Sequence, residues 1–123
     1  MDLVMYRGDD QAFPLTITKD GAPLDLSAAD LVFTARTSIT ATNPTFTLTS
    51  DVAGGIVVED QMTDPGLITV TVPSTATSAF TEGTKLLCDV QVTIAGAVST
   101  WPEPKYSQGT LIHLRIRPDV THD

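Results

Sequence analysis

The chain has 123 residues, a formal net charge of −8, and 41% hydrophobic against 18% charged residues. A chain of this length is predicted to form one domain over residues 1–123, with a core that needs no disulfide or metal. The hydrophobic content excludes the charge-rich, core-poor composition of a disordered protein. The seven Lys and Arg residues are mostly scattered, with only Arg115 and Arg117 close together after His113. This distribution argues against binding to nucleic acid or to an anionic membrane.

The N-terminal residues MDLVMYRGDD have no basic start and no long apolar run, so they are not predicted to be a secretory signal. No segment approaches the ~20 consecutive apolar residues of a membrane span. We therefore expect the chain to be made and kept in a cytoplasm. The segment Asp2–Tyr6 is a candidate contact segment, and its removal is expected to leave the fold intact.

Arg7, Gly8 and Asp9 spell a tripeptide that acts as a cell-adhesion signal in some secreted proteins. Gly8 permits a sharp turn, and the side chain of Asp9 or Asp10 can cap that turn. Apolar residues precede and follow the tripeptide, and a match of three residues often arises by chance. We therefore interpret Arg7, Gly8 and Asp9 as a structural turn that leads into the first core strand.

From residue 11 onward, apolar residues alternate with polar ones in run after run, which is the period of strands with one buried face. Turn-forming stretches such as KDGAP, TDPG and TEGT separate the runs. The pattern predicts an all-β fold, an antiparallel sandwich of about eight strands. The predicted strands cover residues 11–18, 31–36, 45–49, 55–60, 67–72, 86–94, 97–101 and 110–117. Two short stretches, DLSAADL and PSTATSAF, can form helical turns.

Pro14 lies inside the first of these strands. Because proline cannot donate to a ladder, this strand is predicted to lie at a sheet edge or to carry a bulge. An edge strand near the N-terminus is open to pairing with another chain.

The hairpin VTIAGAVSTW has two possible registers. A two-residue Ala95-Gly96 loop turns Trp101 inward, where it closes one end of the core, but it needs a positive φ that alanine resists. A type I turn with a bulge at Gly96 shifts the register by one residue and turns Trp101 outward. We favour the bulged register, in which Trp101 and nearby Tyr106 become candidate interface residues.

Residues suited to catalysis or metal binding do not form a recognisable set. Cys88 falls in a strand pattern with no base beside it and is interpreted as a small core residue. One Cys with the separated His113 and His122 does not make a zinc site. The carboxylates lack the spacing of a calcium loop, and no Gly-rich phosphate loop is present. We expect no catalytic residue, no metal and no cofactor, and therefore not an enzyme.

Two stretches of the chain resemble a known family. Residues Tyr6–Arg36 hold an RGD stretch leading into a strand, a DG-x-P turn, a DLS segment and a strand ending in Arg. In this order they resemble the N-terminal domain of phage upper-baseplate proteins and of related small phage tail proteins. The stretch Gly109–Asp123 is similar to the family's terminal strand and its DVT-like end. The resemblance implies an immunoglobulin-like β-sandwich that docks onto neighbouring virion proteins and assembles as a symmetric homo-oligomer.

Together, the residues and the resemblance predict a structural virion protein of a bacteriophage. We expect a tail or baseplate component that is assembled in the bacterial host cytoplasm and acts through contacts with other virion proteins. The candidate interface residues are Leu3, Met5, Tyr6, Trp101 and Tyr106. The alternatives are a capsid-surface protein and a host-adhesion or carbohydrate-binding sandwich, in which exposed aromatic residues stack on sugar rings.

Overall fold

The computed structural model describes residues 2–38, 43–78, 80, 83–102 and 112–118. Within these residues the chain forms short strands and one helix, so the predicted mostly-β fold is confirmed. The strands are β1 (Asp2–Tyr6), β2 (Gln11–Thr16), β3 (Thr18–Lys19), β4 (Ala22–Pro23), β5 (Ala29–Arg36), β6 (Phe46–Thr49), β7 (Ile56–Val58), β8 (Leu67–Val72), β9 (Thr84–Ile94), β10 (Ala97–Trp101) and β11 (Ile112–Arg117). The helix α1 (Ser74–Thr77) lies in one of the two stretches for which the sequence predicts a helical turn.

Most strands belong to two sheets. The larger sheet has the order β1-β11-β9-β5-β6, and β10 pairs with the part of β9 that lies beyond β11. The smaller sheet has the order β2-β8-β7, and β3 and β4 form a two-stranded hairpin. The long strand β9 is central to the larger sheet, because it pairs with β5 on one side and with β11 and β10 on the other.

The first and last strands pair in parallel, from Asp2 opposite His113 to Tyr6 opposite Arg117. The prediction of a wholly antiparallel sandwich is therefore wrong for this pair, whereas the other pairs between described strands are antiparallel. Alternation of apolar residues indicates which face of a strand is buried, but it carries no information about the direction of the partner.

One cluster of buried side chains, drawn from both sheets, forms the core. Its members follow the two-residue period of each strand, as in β8, which buries Ile68, Val70 and Val72 while the residues between them stay partly exposed. Cys88 is 1% exposed within β9, in agreement with its interpretation as a core residue. Each large apolar side chain buried in this way stabilises the fold by about 1.5–3 kcal/mol.

The strand that contains Pro14 is β2, which lies at an edge of the smaller sheet, as predicted. Pro14 is exposed and lies opposite Thr69 of β8. Its missing N–H therefore removes no more than one possible ladder bond.

The β9–β10 hairpin has the two-residue loop that the sequence does not favour. Trp101 lies opposite Val90 in the ladder, so the bulged register is wrong. Ala95 and Gly96 have φ angles of 50° and 84°, which are the two positive values of a type I′ turn.

Trp101 is consequently a core residue with 6% exposure, and Val98 is the exposed residue of β10 at 62%. The expected exposure of Trp101 is therefore wrong. The left-handed conformation at Ala95 costs about 1–2 kcal/mol. Burying an indole removes about 150–250 Å² from water, which stabilises the fold by about 4–6 kcal/mol and outweighs that strain.

Candidate interaction surface

The side chains of β1 alternate between the core and the solvent. Met5 is 2% exposed, and the partly buried Leu3 packs against the same core. Val4 and Tyr6 point the other way and are 43% and 51% exposed. The interpretation of Met5 and Trp101 as contact residues is corrected, because folding already uses both side chains. Tyr6 remains a candidate interface residue, and Val4 becomes a second one because its side chain is also exposed.

β1 forms one edge of the larger sheet. It pairs with β11 on one side, and no described strand pairs with its other side. Because β1 buries Met5 and pairs with β11 from Asp2 to Tyr6, we now expect its removal to destabilise the fold. The last candidate interface residue, Tyr106, lies outside the described residues.

The outward side chains beside Val4 and Tyr6 are basic. In the ladder, Arg115 lies opposite Val4 and Arg117 lies opposite Tyr6. On the next strand, Lys85 of β9 lies opposite Arg115. All three cations are exposed. We call these five residues the β1–β11 face.

Few acidic groups neutralise this face. Asp2 Oδ1 lies 3.4 Å from His113 Nδ1, and Asp2 Oδ2 lies 4.0 Å from Arg115 Nε. Both ion pairs are open to solvent, so each contributes about 0–1 kcal/mol. Lys85 and Arg115 are like charges opposite each other, an arrangement that destabilises a sheet. Among the described residues, the three cations therefore give this face a net positive charge.

The turn Arg7-Gly8-Asp9 connects β1 to β2 and is held by the end of α1. Asp9 N–H donates to the carbonyl three residues before it at 3.3 Å, and Gly8 has a φ of 79°, which favours glycine. Gly8 N–H donates to Thr77 Oγ1 at 3.0 Å, and the Arg7 guanidinium donates to the Ser78 carbonyl at 2.9 Å. Since all three residues are partly buried by these contacts, the structure uses them as a turn.

The buried thiol has an environment that opposes reactivity. Burial, and next the charge of Asp89, raise the pKa of Cys88 to about 12. Burial also raises the pKa of Asp89, and the Arg36 guanidinium acts against that shift. Among the described residues, no three His, Cys, Asp or Glu side chains are grouped so that they could hold a metal ion. In the same part of the chain, no helix has the length and apolarity needed to span a membrane.

The described charged residues are divided between the two ends of the strands. One end, where β1, β5 and β11 finish and β9 begins, carries most of the described basic residues, namely Arg7, Arg36, Lys85, Arg115 and Arg117. The opposite end, where β5 and β8 begin, carries most of the described acidic residues, namely Asp20, Asp25, Asp30, Glu59, Asp60 and Asp64. Spacing along the chain does not reveal this division, because each group is collected from strands that are distant in sequence.

A loop of defined shape projects from the acidic end. We call residues 59–66 the Met62 loop, because Met62 is 96% exposed within it. Asp60 Oδ1 accepts a hydrogen bond from Met62 N–H at 3.0 Å. Gln61 Oε1 accepts one from Leu26 N–H at 3.0 Å and so ties the loop to the body of the domain. The sequence alone assigns this loop no role, because a single exposed Met leaves no periodic signal.

We compared the chain with known proteins by sequence and by structure. The sequence matches no protein-family profile and no curated protein. Among solved structures, the N-terminal domain of phage TP901-1 ORF48 is similar, with 13% sequence identity and a TM-score of 0.45 over 96% of this chain and 82% of that chain. That structure is a domain of a phage protein.

Proposed function

We propose that the protein is a structural component of a bacteriophage particle, in the tail or baseplate, and that it acts through contacts with other virion proteins rather than by catalysis. The observation that carries this proposal is the β1–β11 face, where exposed apolar side chains lie beside three cations at a sheet edge with which no other described strand pairs. The resemblance of Tyr6–Arg36 and Gly109–Asp123 to phage tail proteins supports the same role.

The β1–β11 face has the composition of a contact surface. Tyr and Arg are the residue types that dominate binding hot spots, and Tyr6, Arg115 and Arg117 lie side by side here. The free edge of β1 adds a row of backbone groups that a neighbouring strand could pair with. A surface of this kind suits a protein whose work is assembly.

The proposal extends to the finer features that the resemblance implies. These are an immunoglobulin-like sandwich, a symmetric homo-oligomer, and assembly in the cytoplasm of a bacterial host. The proposed sandwich is supported by two observations: the two sheets share one core, and most strand pairs within them are antiparallel.

The alternative of a host-adhesion or carbohydrate-binding sandwich loses its main support. That hypothesis has Trp101 and Tyr106 stacking on sugar rings, and Trp101 is 6% exposed, whereas Tyr106 lies outside the described residues. The Arg7-Gly8-Asp9 turn is likewise occupied with contacts inside the domain. A capsid-surface position remains as a second location for the same kind of assembly protein.

The test is mass spectrometry of particles purified from the strain that carries the gene, followed by immunogold labelling of intact particles. We expect the protein in the particles and the label at the tail or its end. Label on the capsid would replace the proposed location. A protein that is abundant in the lysate and absent from the particles would contradict the proposal.

A further inference from the structure

The Met62 loop presents an apolar tip between carboxylates. Met62 lies two residues from Asp60 and two from Asp64, and all three side chains are exposed. Methionine is enriched at protein interfaces relative to the rest of the surface, whereas charged residues are depleted from interface centres. The loop therefore has the build of a docking element: an apolar anchor with a rim of negative charge.

The surface beside Met62 can accept basic side chains. An open cleft of about 410 Å³ lies against Met62 and is lined by the carboxylates of Asp25, Glu59 and Asp60. The Ser27 hydroxyl donates to Asp25 Oδ1 at 2.7 Å. A carboxylate has about four lone-pair sites, so such internal bonds leave room for a bidentate guanidinium.

The β1–β11 face is the complement of this loop in both polarity and charge. The edge strand β1 carries its exposed apolar side chains, Val4 and Tyr6. The neighbouring strands carry its cations, Arg115 and Arg117 on β11 and Lys85 on β9. We infer that the β1–β11 face of one copy of this chain binds the Met62 loop of a second copy, so that copies join head to tail. This inference rests on the proposed assembly function and names one of its partners.

A second copy is the occupant that the charges favour. Two β1–β11 faces placed against each other would oppose Arg115 and Arg117 with the same residues, and two Met62 loops would oppose carboxylates with carboxylates. Only unlike ends attract, so the contact is heterologous. Repetition of a heterologous contact gives a closed ring or an open filament, according to the rotation between neighbours.

The like-charge pair in the sheet agrees with this assignment. Lys85 opposite Arg115 weakens the isolated domain. A carboxylate from the Met62 loop of a neighbour would lie close to both cations and remove their repulsion. Assembly would therefore reduce the repulsion between Lys85 and Arg115 in the sheet.

The experiment measures self-association of the purified full chain by sedimentation velocity over a range of protein concentrations. Salt is varied from about 0.01 M to about 1 M, which shortens the range of charge interactions from about 30 Å to about 3 Å. We expect oligomers at low salt that dissociate at high salt. A chain that stays monomeric at every concentration and salt would overturn the inference.

Two charge-reversed variants identify the surfaces. The first carries Arg115→Glu and Arg117→Glu. The second carries Asp25→Lys, Glu59→Lys and Asp64→Lys, which gives the loop surface a net positive charge and keeps the Asp60 carboxylate that bonds Met62 N–H. Each variant alone places like charges on both surfaces and is expected to lose the oligomer. An equal mixture restores opposite charges at every contact, because the acidic face of the first variant meets the basic loop of the second. We expect the mixture to recover the oligomer, and failure to recover it while both variants are folded would overturn the inference.

The apolar part of the contact has its own variant and control. Met62→Ala is expected to weaken association about tenfold, equivalent to about 1.4 kcal/mol. Val57→Ala removes an exposed side chain of β7 that belongs to neither the β1–β11 face nor the Met62 loop, and it is expected to leave association unchanged. Equal effects of the two changes would count against Met62 as the anchor.

Failure of this inference is distinguishable from failure of the proposed function. A monomeric chain that is nevertheless found in purified particles leaves the virion role intact and assigns the β1–β11 face to a different acidic protein. A chain that joins head to tail but is absent from particles keeps the contact and removes the virion role.

Discussion

Trp101 connects the larger sheet to the β3–β4 hairpin, through burial of its ring and through a hydrogen bond from its indole nitrogen. The ring is buried where β10 ends, and Nε1–H donates to Thr18 Oγ1 at 3.2 Å. Thr18 begins β3, which belongs to neither main sheet. The indole therefore fastens the β3–β4 hairpin to the larger sheet.

Removing the acceptor of this bond tests its contribution. Thr18→Val keeps the shape of the side chain and leaves the indole N–H without Thr18 Oγ1, so we expect the free energy of unfolding to fall by about 0.5–1.5 kcal/mol. Urea unfolding followed by Trp101 fluorescence measures the change. Thr16→Val, at an exposed position of β2, is the control and should stay within about 0.5 kcal/mol. A native emission spectrum typical of a water-exposed indole would contradict the burial of Trp101 itself.

Cys88 provides a second test at the scale of one residue. Because burial raises its thiol pKa to about 12, the thiol stays protonated through the neutral and mildly alkaline range. We expect no alkylation by iodoacetamide in the folded protein at mildly alkaline pH and full alkylation after unfolding. Val52→Cys places a second thiol at a fully exposed position and should react readily in the same sample. Rapid native labelling of Cys88 would show that the core opens.

At the scale of elements, the β9–β10 hairpin shows where sequence reasoning went wrong. The sequence correctly places a turn at Ala95 and Gly96, and the penalty for alanine at positive φ is real. That penalty is local, whereas the gain from burying Trp101 and completing the ladder comes from the tertiary structure. A comparison of the two magnitudes would have selected the observed register.

The strain at Ala95 can be relieved by substitution. Asn tolerates positive φ and forms type I′ turns with a following Gly, so Ala95→Asn should raise the free energy of unfolding by up to about 1 kcal/mol. Urea unfolding measures the gain. Ala97→Asn places the same residue in a strand, where Asn is disfavoured, and should bring no gain. A loss of stability with Ala95→Asn would mean that the loop has another conformation.

β1 has a folding side and a contact side, and its two faces can be separated by mutation. Met5→Ala should lower the free energy of unfolding by about 2–5 kcal/mol, because it empties a core position. Val4→Ala removes a side chain that is 43% exposed and should change stability by less than about 1 kcal/mol. Chemical unfolding of both variants measures the two changes in the free energy of unfolding. Equal losses would mean that the strand is oriented differently.

The continuous apolar run of β1 explains why its orientation was not predicted. In DLVMY the outward Val4 and Tyr6 are as apolar as the inward Leu3 and Met5, so period-two alternation is invisible. The sequence could place Tyr6 among contact residues by type, but it could not separate it from Met5. Only the parallel pairing with β11 does so.

At the scale of the whole molecule, the features that can be predicted from the sequence are those that depend on local residue patterns. Alternating strands, a buried Cys88 and an edge strand at Pro14 follow from local patterns and are found in the structure. The grouping of cations at one end does not follow from local patterns. Arg7, Lys85 and Arg117 are far apart in sequence, and the order of the strands brings them to the same end of the fold. The candidate surface is thus a product of topology, and the charge of −8 for the whole chain conceals it.

The measurement that tests the account most directly is the incorporation of surface variants into particles. Wild-type copies and copies with Arg115→Glu and Arg117→Glu are produced together, and their ratio in purified particles is determined by quantitative mass spectrometry. Val57→Glu, which adds a charge outside the β1–β11 face, is the control. We predict that the folded double variant is depleted about tenfold or more, which corresponds to about 1.4 kcal/mol of contact free energy. The control should enter at the wild-type level. Equal incorporation of all three proteins would contradict assembly through this face.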